Sequence, residues 1–178
     1  MKNSSKRLDL TEVIITGLMV ALTLVFTFFI NIRLPLPGNG GLIHLGNVPL
    51  FAAAFIFGKK IGAISGAFGM ALFDVISGWT IWAPFTFIIV GLMGYVAGTI
   101  YQRFEKNAYV GGALAVLAAL IIKVVGYYLA EVILYHNLVA PLGSILGNCL
   151  QVAIAGAIMI PVAPRLISIF ERSKLCIK

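Results

Sequence analysis

The stretch Ala108–Tyr135, AYVGGALAVLAALIIKVVGYYLAEVILY, decides what kind of protein this is. Only Lys123 and Glu131 interrupt an otherwise uncharged run. A helix needs ~20 apolar residues to cross the bilayer core, and this run exceeds that. The composition agrees: 61% of the 178 residues are hydrophobic and 11% charged, where a soluble domain carries about 25% charged. Mean hydropathy is +1.05. The chain therefore reads as an integral membrane protein. A formal net charge of +7 raises the question of nucleic acid. The basic residues, however, fall in short clusters between apolar runs, where they orient a membrane protein, and no basic stripe interleaves with aromatics. No nucleic-acid partner is expected; the lipid bilayer is.

Working outward, Arg103-Phe104-Glu105-Lys106-Asn107 precedes this segment, and His136-Asn137 with Pro141 follows it. Both are breaks between spans. The same reading along the chain predicts helices over about 10–32, 47–57, 61–77, 84–101, 108–135 and 141–162, with Pro164-Arg165 beginning the exit of the last. The fold class is an all-α integral membrane protein with six transmembrane helices in one domain, residues 1–178. Lys2, Lys6 and Arg7 precede an apolar run long enough to span, with no small-residue cleavage pattern soon after it, so the run reads as a retained first helix. Six spans put both termini, Lys59-Lys60, Arg103, Lys106, Arg165 and the basic tail on one face. The excess of Lys and Arg makes that face cytoplasmic. Arg33 is left on the other face and Lys123 inside.

The first external connection, Leu34–Pro49, reads LPLPGNGGLIHLGNVP. Three prolines and four glycines stop a helix there. Yet Leu42, Ile43, Leu45, His44 and Asn47 are not what a plain surface loop requires. The expectation is a loop that folds back as a lid over a pocket, with a connector that lines nothing as the alternative.

Charged groups within a bilayer are costly and usually functional. Lys123, Tyr127 and Glu131 recur at four-residue steps, so they share one helix face over ~12 Å. They suit the wall of an outward-facing pocket; the plainer reading is a structural ion pair of Lys123 with Glu131 or Asp74. Ser144, Asn148 and Gln151 share a face of the last span, and Asp74 lies one turn below the outer end of the third. Trp79 and Trp82 follow it in a turn that also reads as an interface belt. Amides, carboxylates, an imidazole and indoles at one depth can hold a flat heterocycle bearing hydroxyl groups.

Several classes of chemistry lack their motifs. No phosphate-binding GxxxxGK[ST] loop occurs, so the chain does not itself draw on ATP, and neither HExxH nor a nucleophile–base pattern is present. No enzyme, no cofactor and no metal site is expected. Cys149 and Cys176 have no metal-type spacing and do not read as a disulfide.

Small residues at Gly17 and Ala21, the segments Gly41–Pro49 and Phe57–Ala63, and Gly66-Ala67-Phe68-Gly69-Met70-Ala71-Leu72-Phe73-Asp74 together resemble the substrate-binding S-component of an energy-coupling factor (ECF) vitamin transporter. The likeness runs from about Leu8 to Arg172, within the branch that includes hydroxymethylpyrimidine, pyridoxine, pantothenate and riboflavin binders. It implies a prokaryotic multi-pass protein of the cell membrane that captures a vitamin outside with high affinity. It also implies association with a transmembrane coupling subunit and two cytosolic ATPases, which use the ATP, and toppling of the S-component in the membrane. Gly17 and Ala21 would meet the coupling subunit, although the family pair is Ala-xxx-Ala. The side chains read above as substrate contacts are His44, Asn47, Asp74, Trp79, Trp82, Lys123, Tyr127, Glu131, Asn148 and Gln151. Lys123 with His44 favours a carboxylate such as pantothenate; the aromatics with Asp74 and Glu131 favour a pyrimidine or pyridine ring, the preferred reading. Riboflavin stays open, as do a small intramembrane enzyme and a structural membrane subunit.

Overall fold

In a long apolar run, backbone N–H and C=O groups find no partners except one another, so such runs fold as helices. The computed structural model describes residues 10–33 and 42–172 and is mostly helical. Its elements are α1 (Leu10–Phe29), β1 (Asn31–Arg33), β2 (Leu42–His44), α2 (Asn47–Ala52), α3 (Lys59–Ile76), α4 (Ala83–Arg103), α5 (Ala108–Tyr135) and α6 (Leu142–Arg172). A π-helical turn, Ala53–Phe57, continues α2.

Helix α5 shows how the sequence divides between lipid and interior. Leu117, Ile121, Val125, Leu129 and Ile133 recur every four residues and are all exposed, each more than half. Gly111, Ala115, Ala119 and Lys123 recur at the same spacing on a buried face. An apolar stripe outside and small residues inside is the pattern of a helix that faces lipid and packs closely on its neighbours. Helix α5 packs between α4 and α6, and α3 packs on α1 and α4. The α3–α4 crossing depends on missing side chains: a Cβ on Gly94 would run into the backbone of Gly62.

Helix α2 with its π turn is too short to cross a ~30 Å core, and it does not need to. It contacts α1, α3, α4 and α6, and Leu50, Phe51, Ala53 and Ala54 are wholly buried. It is a central plug, with Phe51, Phe55 and Tyr101 stacked in a ladder (ring centroids 5.5 and 4.3 Å apart). Gly58 ends the plug at φ +94°, a conformation open to glycine, and its missing Cβ leaves room for the Gln102 amide.

Among the described residues there are six helical segments, of which four are long and apolar enough to cross a membrane: Leu10–Phe29, Ala83–Arg103, Glu105–Tyr135 and Leu142–Arg172. Helix α3 falls short because Lys59, Lys60 and Asp74 lower its hydropathy. The structure corrects other expectations. The fold is not purely helical. Asn31↔His44, Ile32↔Ile43 and Arg33↔Leu42 pair as an antiparallel hairpin that satisfies backbone groups at the end of α1. The first helix accordingly stops at Phe29, before 32. The last helix continues past 162 to Arg172, through Pro161 and Pro164. Packing sustains it: Leu166, Ile167 and Phe170 sit on a cluster of Met19, Ala53, Ile56, Phe57 and Ile61, with Phe170 edge-on to Phe57 at 5.1 Å.

Candidate functional site

At the end of the bundle where α1, α3 and α5 finish and α4 and α6 begin, polar side chains from all five helices and the hairpin meet around one cavity. Its lining includes Thr27, Leu42, His44, Asp74, Trp79, Thr86, Lys123, Tyr127, Glu131, Asn148 and Gln151, with Met70 and Phe73. It leaves about 50 Å³ for the centres of water-sized molecules, room for on the order of four waters. Thr23 and Thr27 return their hydroxyls to the carbonyls of Met19 and Thr23, at 2.8 and 2.7 Å, so these polar residues lie buried in α1 at little cost.

Hydrogen bonds between elements organise the cavity. Lys123 Nζ donates to Gln151 Oε1 at 2.9 Å, and Gln151 Nε2 donates to the Leu42 carbonyl of β2 at 2.7 Å. Tyr127 donates to Thr86 Oγ1 at 3.1 Å, with Thr86 beside Asp74, whose buried Oδ2 has no hydrogen-bond partner among the described residues. Glu131 lies beside Ser144, whose hydroxyl donates to the Pro141 carbonyl at 2.9 Å. Lys123 and Glu131 are each 1% exposed, so their partners decide whether they can stay there. The ammonium also stands 5.7 Å from the centroid of the Tyr127 ring, a cation–π contact. It is held by Gln151 and not, as the plainer reading expected, by a direct pair with Glu131 or Asp74. With three protons on Nζ and one used, Lys123 retains donors for a ligand.

His44 is neutral in this site. Burial, and then the nearby positive charge of Lys123, hold its imidazole well below the ordinary histidine value. Its Nδ1 accepts from the Gly46 backbone N–H at 3.2 Å, which assigns the proton to Nε2. The ring lies 6.4 Å from Phe73.

Eight of the ten expected contact residues line this cavity: His44, Asp74, Trp79, Lys123, Tyr127, Glu131, Asn148 and Gln151. Two do not. Trp82 belongs to the apolar core, 4% exposed and edge-on to Tyr135 at 6.0 Å, because the turn tucks its indole under α5; it is not an interface anchor. Asn47 is wholly buried at the start of α2, outside the cavity lining, and neither amide atom has a hydrogen-bond partner among the described residues. The sequence reading missed Thr27, Thr86, Met70 and Phe73. For Thr86 a signal existed, a hydroxyl one turn into an apolar helix and facing the same depth as Asp74. Of the expected lid, residues 34–41 lie outside the described residues; its second arm supplies Leu42 and His44 to the cavity wall. Gly17 and Ala21 are exposed on α1, and a Cβ on Gly17 would meet nothing within 4 Å.

A polar cavity within an apolar helical bundle marks a membrane protein with room for a small polar molecule. The family model described as "ECF-type riboflavin transporter, S component" matches residues 7–167. The chain belongs to this family, whose members are transporter subunits and not enzymes. An uncharacterized protein in the gap 3'region of Pyrococcus woesei is 33% identical over 110 residues, 58% of this chain and 68% of the relative. The thiamine precursor transporter HmpT of Lactococcus lactis subsp. cremoris is 32% identical over 121 residues, 67% of this chain and 64% of that protein. A solved structure described as the S component of a bacterial ECF transporter superposes with a TM-score of 0.69 at 21% identity, covering 89% of this chain and 96% of the other. It shares the fold.

The neutral imidazole has a pH consequence. In the folded site His44 resists protonation, whereas in the unfolded chain it returns to an ordinary value near 6.5. Its contribution to stability is therefore full above pH ~6.5 and is lost as pH falls below, by at most about tenfold per unit in the folding equilibrium. Thermal unfolding in detergent from pH 5 to 8 should show this fall, and His44→Gln should flatten it; an unchanged fall in His44→Gln would assign the dependence to other groups.

Proposed function

We propose that this chain is the high-affinity substrate-binding subunit of an ECF-type importer and that its substrate is a single-ring vitamin precursor, hydroxymethylpyrimidine or a pyridoxine-like ring. One observation carries the reading: a buried cavity of single-ring size that combines Lys123, two carboxyl groups, two side-chain amides, an indole and a phenol. An aminopyrimidine edge carries adjacent donors and acceptors, the complement of a carboxyl group beside an amide. Glu131 with Asn148 offers such a pair, Trp79 and Tyr127 offer faces for the ring, and Lys123 can donate to a hydroxymethyl oxygen. The naming of one relative as a thiamine precursor transporter supports the same choice. Pantothenate is the second reading, favoured by Lys123 beside His44. A tricyclic flavin demands more room than a cavity that holds on the order of four waters, so riboflavin ranks behind both despite the family's name.

In this account the chain crosses the cell membrane six times as one transmembrane domain over residues 1–178, with both termini cytoplasmic and the hairpin end outside. Loop 1 serves as the lid. The partners are a transmembrane coupling subunit and two cytosolic ATPases, which supply the ATP chemistry. Delivery is by toppling in the membrane. The open, unpartnered surface around Gly17 and Ala21 supports α1 as the face that meets the coupling subunit.

Calorimetry on the detergent-purified protein with hydroxymethylpyrimidine, pyridoxine, pantothenate and riboflavin tests the substrate. The pyrimidine should bind tightest, and Glu131→Gln and Asn148→Ala should each weaken it about tenfold or more at unchanged expression. Tight riboflavin binding, or unchanged affinity in both variants, overturns the assignment.

For the partner face, Gly17→Trp or Ala21→Trp should leave that affinity intact while cellular uptake is lost. Parallel loss of binding and uptake would count against an interface there.

A further inference from the structure

The lipid-facing side of α3 and α4 carries a second, quite different site. Ala63, Ala67 and Gly91 form a sunken floor between walls of Ile64 and Phe68 on α3 and Phe87, Ile88 and Leu92 on α4. The groove holds about 280 Å³ and is almost wholly apolar. Its depth comes from residue size: the helices approach closely at Gly62–Gly94, and a Cβ on Gly91 would already press on Ala67 at 3.2 Å. Phe68 and Phe87 meet edge to face at 5.0 Å and close one end. At the other end, one turn beyond Ala63 and Gly91, Lys59 lies over the Tyr95 ring with Nζ 5.4 Å from its centroid. Lys60 beside it is exposed. Among the described residues no acid pairs with either lysine.

We propose that this groove is a specific site for one anionic phospholipid, whose acyl chain lies along the Ala63–Ala67–Gly91 floor and whose headgroup sits at Lys59 and Lys60. Length and charge both select this occupant. From Lys59 to Phe68 the helix rises ~13 Å, close to the ~15 Å depth of one leaflet's hydrocarbon. An acyl chain entering from the lysine end thus runs out where the two phenylalanines close the groove. A transmembrane helix from another protein would instead need a groove open at both ends. The pair of ammonium groups at the headgroup level selects negative charge, at about fivefold in affinity for each lysine. The inference is independent of the vitamin reading, since no groove residue lines the polar cavity.

Native mass spectrometry of the full-length protein, titrated in detergent with phosphatidylglycerol and phosphatidylcholine of identical acyl chains, tests it. One phosphatidylglycerol should be retained more strongly than phosphatidylcholine. The double variant Lys59→Ala, Lys60→Ala should reduce its affinity to that of phosphatidylcholine. Ala63→Leu, which fills the floor, should reduce retention of both lipids; vitamin affinity in the same sample reports whether that variant is folded. Equal retention of the two lipids by the native protein, or retention unaffected by the lysine variant, overturns the proposal. So would loss of association with the coupling module on filling the groove, with lipid retention unchanged, which would mark a protein interface.

Discussion

The hydrogen-bond chain Lys123–Gln151–Leu42 is the constraint on which the described cavity depends. A charged ammonium in the centre of an apolar bundle is tolerable only with a partner in good geometry. Gln151 supplies one, and its own amide N–H then has to be satisfied. It is satisfied by a backbone carbonyl of the hairpin, so a single side chain fixes the cation on α5 and the wall of the cavity at once. Further along the same strand, His44 stays neutral and spends Nδ1 on Gly46, which avoids a second positive charge beside the first.

What allows the hairpin to sit there is the shortness of α2. A full-length second helix would fill the bundle to its hairpin end. The plug instead stops at Asn47, and the volume above it becomes the cavity, lined from five helices and β2. Small residues on α3, α4 and α5 bring those helices close enough for their polar side chains to reach one another. The same close packing on the outer surface leaves the α3–α4 groove, so an interior polar site and an exterior apolar one share one cause.

Much of this was legible in the sequence, for physical reasons that also explain the gaps. Lys123, Tyr127 and Glu131 declared a common face by their four-residue steps, and Ser144, Asn148 and Gln151 did so on the neighbouring helix. A charge in an apolar helix has few places to go, so such residues reveal their surroundings. Trp82 and Asn47 were misplaced because an indole or an amide near a turn suits a core, an interface or a site equally well; only tertiary packing distinguishes them. The hairpin was hidden because each strand is three residues long, too short for an alternating pattern. The extension of α6 through two prolines depends on the distant Phe57 and Met19, which no local signal encodes.

The most direct test of the account is the dissociation rate of hydroxymethylpyrimidine from Gln151→Glu. A glutamate here still accepts from Lys123 but cannot donate to the Leu42 carbonyl, so it separates holding the cation from holding the hairpin. The account predicts release up to about tenfold faster than from the native protein, with association little changed. Release at the native rate from Gln151→Glu, and equally from Gln151→Leu, would contradict it.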